Sequence, residues 1–149
     1  MAELRDLYQE LILEHSRAPR NYRELTDADH KAEGYNPLCG DRFTVFLHMD
    51  GESIRDVTFQ GSGCAISKAS ASMMTQALKG KTRAEAEKIF ERFHKLVTGQ
   101  TVNGNQAELG KLAVFSGVSE FPTRVKCATL AWHTLQAALE GKQDAVSTE

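Results

Sequence analysis

The chain has 149 residues, of which 41% are apolar and 26% charged, with a formal net charge of −2. That length suits one domain with its own core, the charge leaves no footprint for nucleic acid or an anionic membrane as partner, and no apolar run approaches the roughly 20 residues of a bilayer span. The opening "MAELRDLYQE" is acidic and helix-like rather than a secretory leader, so the expectation is a cytoplasmic protein with a single domain over residues 1–149.

Leu4, Leu7, Tyr8, Leu11, Ile12 and His15 recur at helical spacing and predict an amphipathic helix over 3–16. Residues 17–38, with Pro19, Asn21, Gly34 and Pro37, read as connection, with an extended piece near Lys31 to Asn36. From Arg42 the pattern turns to period two. Phe43, Val45, Leu47 and Met49 share one face, and Arg42, Thr44, His48 and Asp50 the other, which predicts a half-buried strand. Asp50-Gly51 supplies a turn, and Ile54 to Gln60 resumes as the second arm of a hairpin. Gly61-Ser62-Gly63 ends that arm, and Cys64 opens a helix running to about Lys79. The small residues Ala65, Ala69, Ser70, Ala71 and Ser72 permit this helix to pack closely, and Met73-Met74 reads as core.

Thr82 to Glu85 has the capping-box pattern ahead of a stripe of Ile89, Phe90, Phe93, Leu96 and Val97. Asn105 to Glu108 repeats the cap signal before Leu109, Leu112 and Phe115. Pro122 opens a last helix carrying Val125, Ala128, Trp132, Leu135 and Leu139. The polar tail, about 142–149, is expected to fray. Few strands followed by many helices is an α+β layout: a small antiparallel sheet of about three strands packed on one side by several helices.

The three cysteines are Cys39, Cys64 and Cys127. An odd number in a chain of this class argues against a disulfide framework and toward metal, catalysis or simple burial. Antiparallel pairing would carry the start of the first strand beside the end of the second, and so bring Cys39 and Asp41, in "PLCGDR", to the edge that holds Cys64. A docked last helix would add Cys127. Three thiolates and a carboxylate form a plausible tetrahedral zinc set, although the closely spaced cysteine pairs of a zinc ribbon are absent. Fully deprotonated, the set would leave a zinc complex two charges negative, which Arg124 and Lys126 near Cys127 are suited to offset. Cys39, on a loop beside Gly40, is the best nucleophile candidate. The plain alternative is that each cysteine is a small buried hydrophobe. "GSGC" resembles a phosphate cradle but lacks the following Gly-Lys-Ser/Thr, so it reads as turn and cap. His15, His30, His48, His94 and His133 show no ligand spacing, and His48 and His133 are expected at the surface.

The blocks "NPLCGD", "GSGCAISKAS" and "RVKCATLAW" together resemble the IscU/SufU family of iron–sulfur cluster assembly proteins, over nearly the whole chain. Two details favour the SufU branch. Lys126 stands where IscU-type scaffolds carry a histidine, and Cys64 and Cys127 are 63 positions apart, with an extra helical segment around 82–105. The resemblance implies a SufE/IscU-like fold with zinc on Cys39, Asp41, Cys64 and Cys127. It also implies that Cys39 accepts persulfide sulfur from a SufS-type cysteine desulfurase, whose histidine takes Cys39's place on the metal. The sulfur then passes on toward a SufBCD-type scaffold. Arg124 looks like the family arginine near the site, for charge balance or partner docking. Two other readings use the same residues: an IscU-like scaffold holding iron or a [2Fe–2S] cluster, and a zinc domain whose metal only stabilises the fold.

Overall fold

Both arms read from the alternation pair as a hairpin, and a third strand joins them. The computed structural model describes residues 2–37, 40–100, 109–141 and 146–147. Helix α1 (Ala2–Arg17) leads through a connection to β1 (His30–Asn36), β2 (Asp41–Asp50) and β3 (Ser53–Ser62). Helices α2 (Ala65–Leu78) and α3 (Arg83–Val97) follow. After them come a 3-10 helix (Gly110–Glu120), α4 (Pro122–Leu139) and a two-residue strand β4 (Val146–Ser147). The sheet order is β3-β2-β1-β4. Strand β2 runs antiparallel to both β1 and β3, as expected. The fourth strand was not expected: Val146 and Ser147 pair in parallel with Gly34 and Tyr35. These two residues of the polar tail therefore do not fray, because β1 offers an open ladder edge for their backbone groups to join.

The alternation holds where it was read. Phe43, Val45 and Leu47 are wholly buried, and Gly51 takes a positive φ of 62° at the hairpin turn. Phe46 breaks the pattern by being buried on the opposite face, at 6% exposure. The connection after α1 returns along the hairpin here. Arg23 N–H donates to Phe59 O, Phe59 N–H to Asn21 O, and Asp29 N–H to Leu47 O.

The helices cover the other face. Helix α4 lies on β1 and β2, and α2 packs between α1 and α4. Close approach of β1 and α4 depends on Gly34, where a Cβ would fall 2.0 Å from Thr134 Oγ1 and 3.2 Å from Leu130 Cδ1. Of the small-residue run of α2, Ala69, Ser70, Ala71 and Ser72 are buried and Ala65 is partly so, and Met73 and Met74 lie in the core. Trp132 stacks on Phe93 at 4.5 Å and on Phe90 at 5.8 Å. Its Nε1–H donates to Ser70 Oγ, whose hydroxyl donates to Ala128 O.

Helix α3 begins with the full capping box of Thr82 and Glu85. The second cap signal, Asn105 to Glu108, lies outside the described residues. The stretch after it differs from expectation, because it is a 3-10 helix rather than an α-helix. Leu109, Leu112, Phe115 and Val118, all buried, are spaced by three throughout. Residues i and i+3 eclipse in a 3-10 helix, which keeps such a row on one face.

His15 is 2% exposed. Its Nδ1 lies 2.7 Å from Ser72 Oγ, which also accepts the Arg20 backbone N–H. Burial first, then Arg20, hold its pKa below the ordinary imidazole value against an opposing pull from Glu14. A folded-state pKa below the unfolded one gives stability that is full above about pH 6.5 and falls as the pH drops toward the folded value. In urea unfolding, the wild type is therefore expected to lose more of its midpoint between about pH 7.5 and about pH 5.5 than a His15→Gln variant. Equal losses would refute this assignment.

Candidate metal centre

Three chain segments meet at one end of the sheet. Asp41 is the first residue of β2 and pairs with Asn36, the last of β1, while Arg42 pairs with Ser62 at the end of β3. Gly63 and Cys64 follow directly, so the hairpin sets Asp41 against Cys64 as the alternation implied. The Cys64 backbone N–H donates to Asp41 Oδ1 at 2.8 Å. Cys127, on α4, is fully buried. One donor atom each from Asp41, Cys64 and Cys127 lie within 4.8 Å of one another. Among the described residues this is the only set of three or more His, Cys, Asp or Glu side chains so placed.

The "GSGC" run serves this packing. Gly61 has φ +144°, and a Cβ there would fall 2.1 Å from Arg42 O. A Cβ on Gly63 would lie 2.6 Å from both Asp41 Oδ1 and Ser67 Oγ. Cys64 is the N-cap of α2, its sulfur accepting from Ser67 N–H at 3.4 Å. The turn-and-cap reading holds.

The electrostatics favour an ionised sulfur. A hydrogen bond from Cys127 first, and then Ser67, hold the Cys64 thiol well below the ordinary range, against burial and the Asp41 charge. Asp41 is 1% exposed, and its Oδ2 is buried without a hydrogen-bond partner among the described residues. An oxygen left so costs about 1–3 kcal/mol, and a cation between it and the two sulfurs would remove that cost. One carboxylate oxygen and two sulfurs suit a borderline metal such as zinc or iron, so these residues fit the implied group.

The other expected residues divide. Cys39 lies outside the described residues, between Pro37 and Gly40. Arg124 is exposed in the first turns of α4 and Lys126 is half-buried beside Cys127. None of the histidines joins the centre. His48 Nδ1 sits 3.4 Å from Asp27 Oδ2 in a partly exposed setting. His133 is less of a surface residue than expected: it is half-buried, edge-on to Phe90 at 5.1 Å, and burial lowers its pKa. Asn36 and Ser67 were missed. Asn36 is fully buried, and its Nδ2–H donates to Cys127 Sγ at 3.7 Å. The available signal was an amide at the inward end of the alternating Ala32, Gly34, Asn36.

Residues 7–128 match the family profile described as NifU-like N-terminal domain. A Bacillus subtilis (strain 168) protein named zinc-dependent sulfurtransferase SufU is 42% identical over 135 residues, covering 91% of this chain and 90% of its own length. A Streptococcus pyogenes serotype M1 protein named iron–sulfur cluster assembly scaffold protein IscU is 39% identical over 145 residues, 97% of this chain and 90% of its own. The chain belongs to the IscU/SufU family. Another member of the IscU/SufU family, the solved SufU of Fervidobacterium islandicum AW-1, superposes with a TM-score of 0.83 at 36% identity, covering 87% of this chain and 94% of that one. The α+β fold is the fold of that family. Within the IscU/SufU family, these two relatives, one named a sulfurtransferase and the other a scaffold, stand at nearly the same identity. No helix of this member, among the described residues, is long and apolar enough to cross a membrane.

Proposed function

We propose that this IscU/SufU-family chain is a zinc-dependent sulfurtransferase that takes persulfide sulfur onto Cys39 from a SufS-type cysteine desulfurase and passes it on toward a SufBCD-type scaffold. The observation that carries the metal is the buried, unpartnered Asp41 Oδ2 beside Cys64 and Cys127. Asp41, Cys64 and Cys127, with Cys39, would hold the zinc, which when bound supplies redox-inert Lewis acidity that keeps thiols deprotonated near neutral pH. Lys126 in place of a histidine before Cys127, together with the 42% identity to a protein named as a zinc-dependent sulfurtransferase, supports this branch.

The division of labour among the thiols follows from burial and hydrogen bonding. Cys127 has no exposed surface, and Cys64 is tied into the first turn of α2. Cys64 keeps part of its surface, but its sulfur is held as the cap of α2, and Cys39 is the thiol we assign to the partner's persulfide. Its thiolate attacks the outer sulfur of the persulfide. A sulfur–sulfur bond forms on Cys39 as the one to the desulfurase cysteine breaks, and that cysteine leaves as a thiolate, with no net oxidation. Arg124 and Lys126 supply positive charge on the approach to α4.

The second reading, a scaffold on which a [2Fe–2S] cluster is assembled, draws on the 39% identity to a protein named IscU and on the ability of the same donors to hold iron. Zinc analysis of the purified chain, combined with desulfurase turnover in its presence and absence, tests the first. One zinc per chain and accelerated turnover are expected. Bound zinc with unchanged turnover refutes sulfur transfer and supports a structural role. Stoichiometric cluster build-up with transfer to an apo-acceptor favours the scaffold.

A further inference from the structure

The inward row of β1 runs along α4. Gly34 meets Leu130 and Thr134, and two residues on, Asn36 meets Cys127. The row otherwise holds Ala32 and Gly34, which is what close packing against a helix requires. An amide at its end is not a packing choice, because burying it is unfavourable unless it is hydrogen-bonded. Asn36 is 0% exposed, and its Nδ2–H donates to Cys127 Sγ at 3.7 Å. The same sulfur faces Thr123 O, also at 3.7 Å, and a carbonyl cannot stabilise a thiolate. Asn36 is also in register with Asp41, so one rung of the sheet holds the carboxylate on one side and the donor to Cys127 on the other.

We infer that Asn36 is a positioning residue for the metal centre. Its amide holds Cys127 Sγ toward Asp41 and Cys64, and withdraws charge from that sulfur, which sets how tightly the centre keeps its metal. The inference rests on the metal-site reading above. Hydrogen bonds to ligand atoms of this kind typically change metal affinity by about 10–100-fold when removed, and those to sulfur also shift its electronic character.

Cobalt(II) substitution of the full chain reads both effects. The wild type is expected to bind one cobalt with an intense thiolate-to-cobalt charge-transfer band. Asn36→Leu removes the donor and excludes water from its place. It is expected to move that band to lower energy, since a sulfur without the N–H is more electron-rich, and to lose zinc to a competing chelator about 10–100-fold more readily. Asn36→Val also lacks the donor, suits a strand and should show the same direction, so a folding failure confined to the leucine variant leaves the measurement intact. A residue that only packs would alter affinity without moving the band. An unmoved band in either folded variant overturns the inference, and so does failure of both variants to fold, which would make Asn36 a residue of the fold. A wild type that binds cobalt with no charge-transfer band overturns the metal reading, and the inference with it.

Discussion

Replacing Cys39 with alanine is expected to abolish acceleration of the partner desulfurase and to leave the chain folded. The loss should be complete rather than partial, because the two remaining sulfurs are committed elsewhere. Cys127 is wholly buried among α4 contacts, and Cys64 caps α2. The fold should survive because the β1–β2 ladder closes at Asn36 and Asp41 without Cys39. After reaction with the persulfide-loaded desulfurase, intact-mass measurement should find one added sulfur on the wild type and none on Cys39→Ala. Undiminished acceleration by the variant would remove Cys39 from the nucleophile's role. Far-UV circular dichroism separates that result from simple unfolding.

Asp41→Asn should act in opposite directions on the metal-free and the zinc-bound chain. Asparagine keeps Oδ1 as acceptor for the Cys64 N–H but replaces the unpartnered Oδ2 with an N–H donor facing two sulfurs. The metal-free protein should therefore gain stability, on the order of 1 kcal/mol, by losing an unsatisfied buried oxygen. Zinc affinity should fall by at least about 100-fold, the upper end for loss of an outer-shell partner, since here a ligand itself is lost. Asp41→Ala provides the contrast: it also removes Oδ1, orphans the Cys64 N–H at the start of α2, and should destabilise the metal-free chain. Melting temperatures with and without zinc give both signs, and an asparagine variant that binds zinc as tightly as wild type would remove Asp41 from the ligand set.

Much of this centre was legible because its parts sit at element boundaries, where sequence signals are strongest. Period two located β2, a capping position located Cys64, and Pro122 located the helix that carries Cys127. Antiparallel pairing then left little choice about which ends meet. What was missed depends on tertiary context. Strand β4 is too short to show a period, and only the open edge of β1 calls it into being. Phe46 is buried on the face that the alternation gave to polar residues, which no local pattern encodes. The 3-10 helix did leave a trace in its unbroken spacing of three, which was read as the start of an ordinary amphipathic stripe. Asn36 looked like the polar end of a strand, although it closes the inward row of Ala32 and Gly34, and what it meets there depends on where α4 docks.

The core stack around Trp132 has a practical consequence. It is the chain's one tryptophan, sealed from solvent, five residues after Cys127 on the same helix, with its indole N–H held by Ser70 of α2. Tryptophan emission therefore comes from a single indole wedged at the α2–α4 junction, separable from the three tyrosines by excitation wavelength. Any event that shifts the helix bearing Cys127 changes the surroundings of that indole, so the molecule carries its own optical gauge of how that helix is seated, with no dye attached.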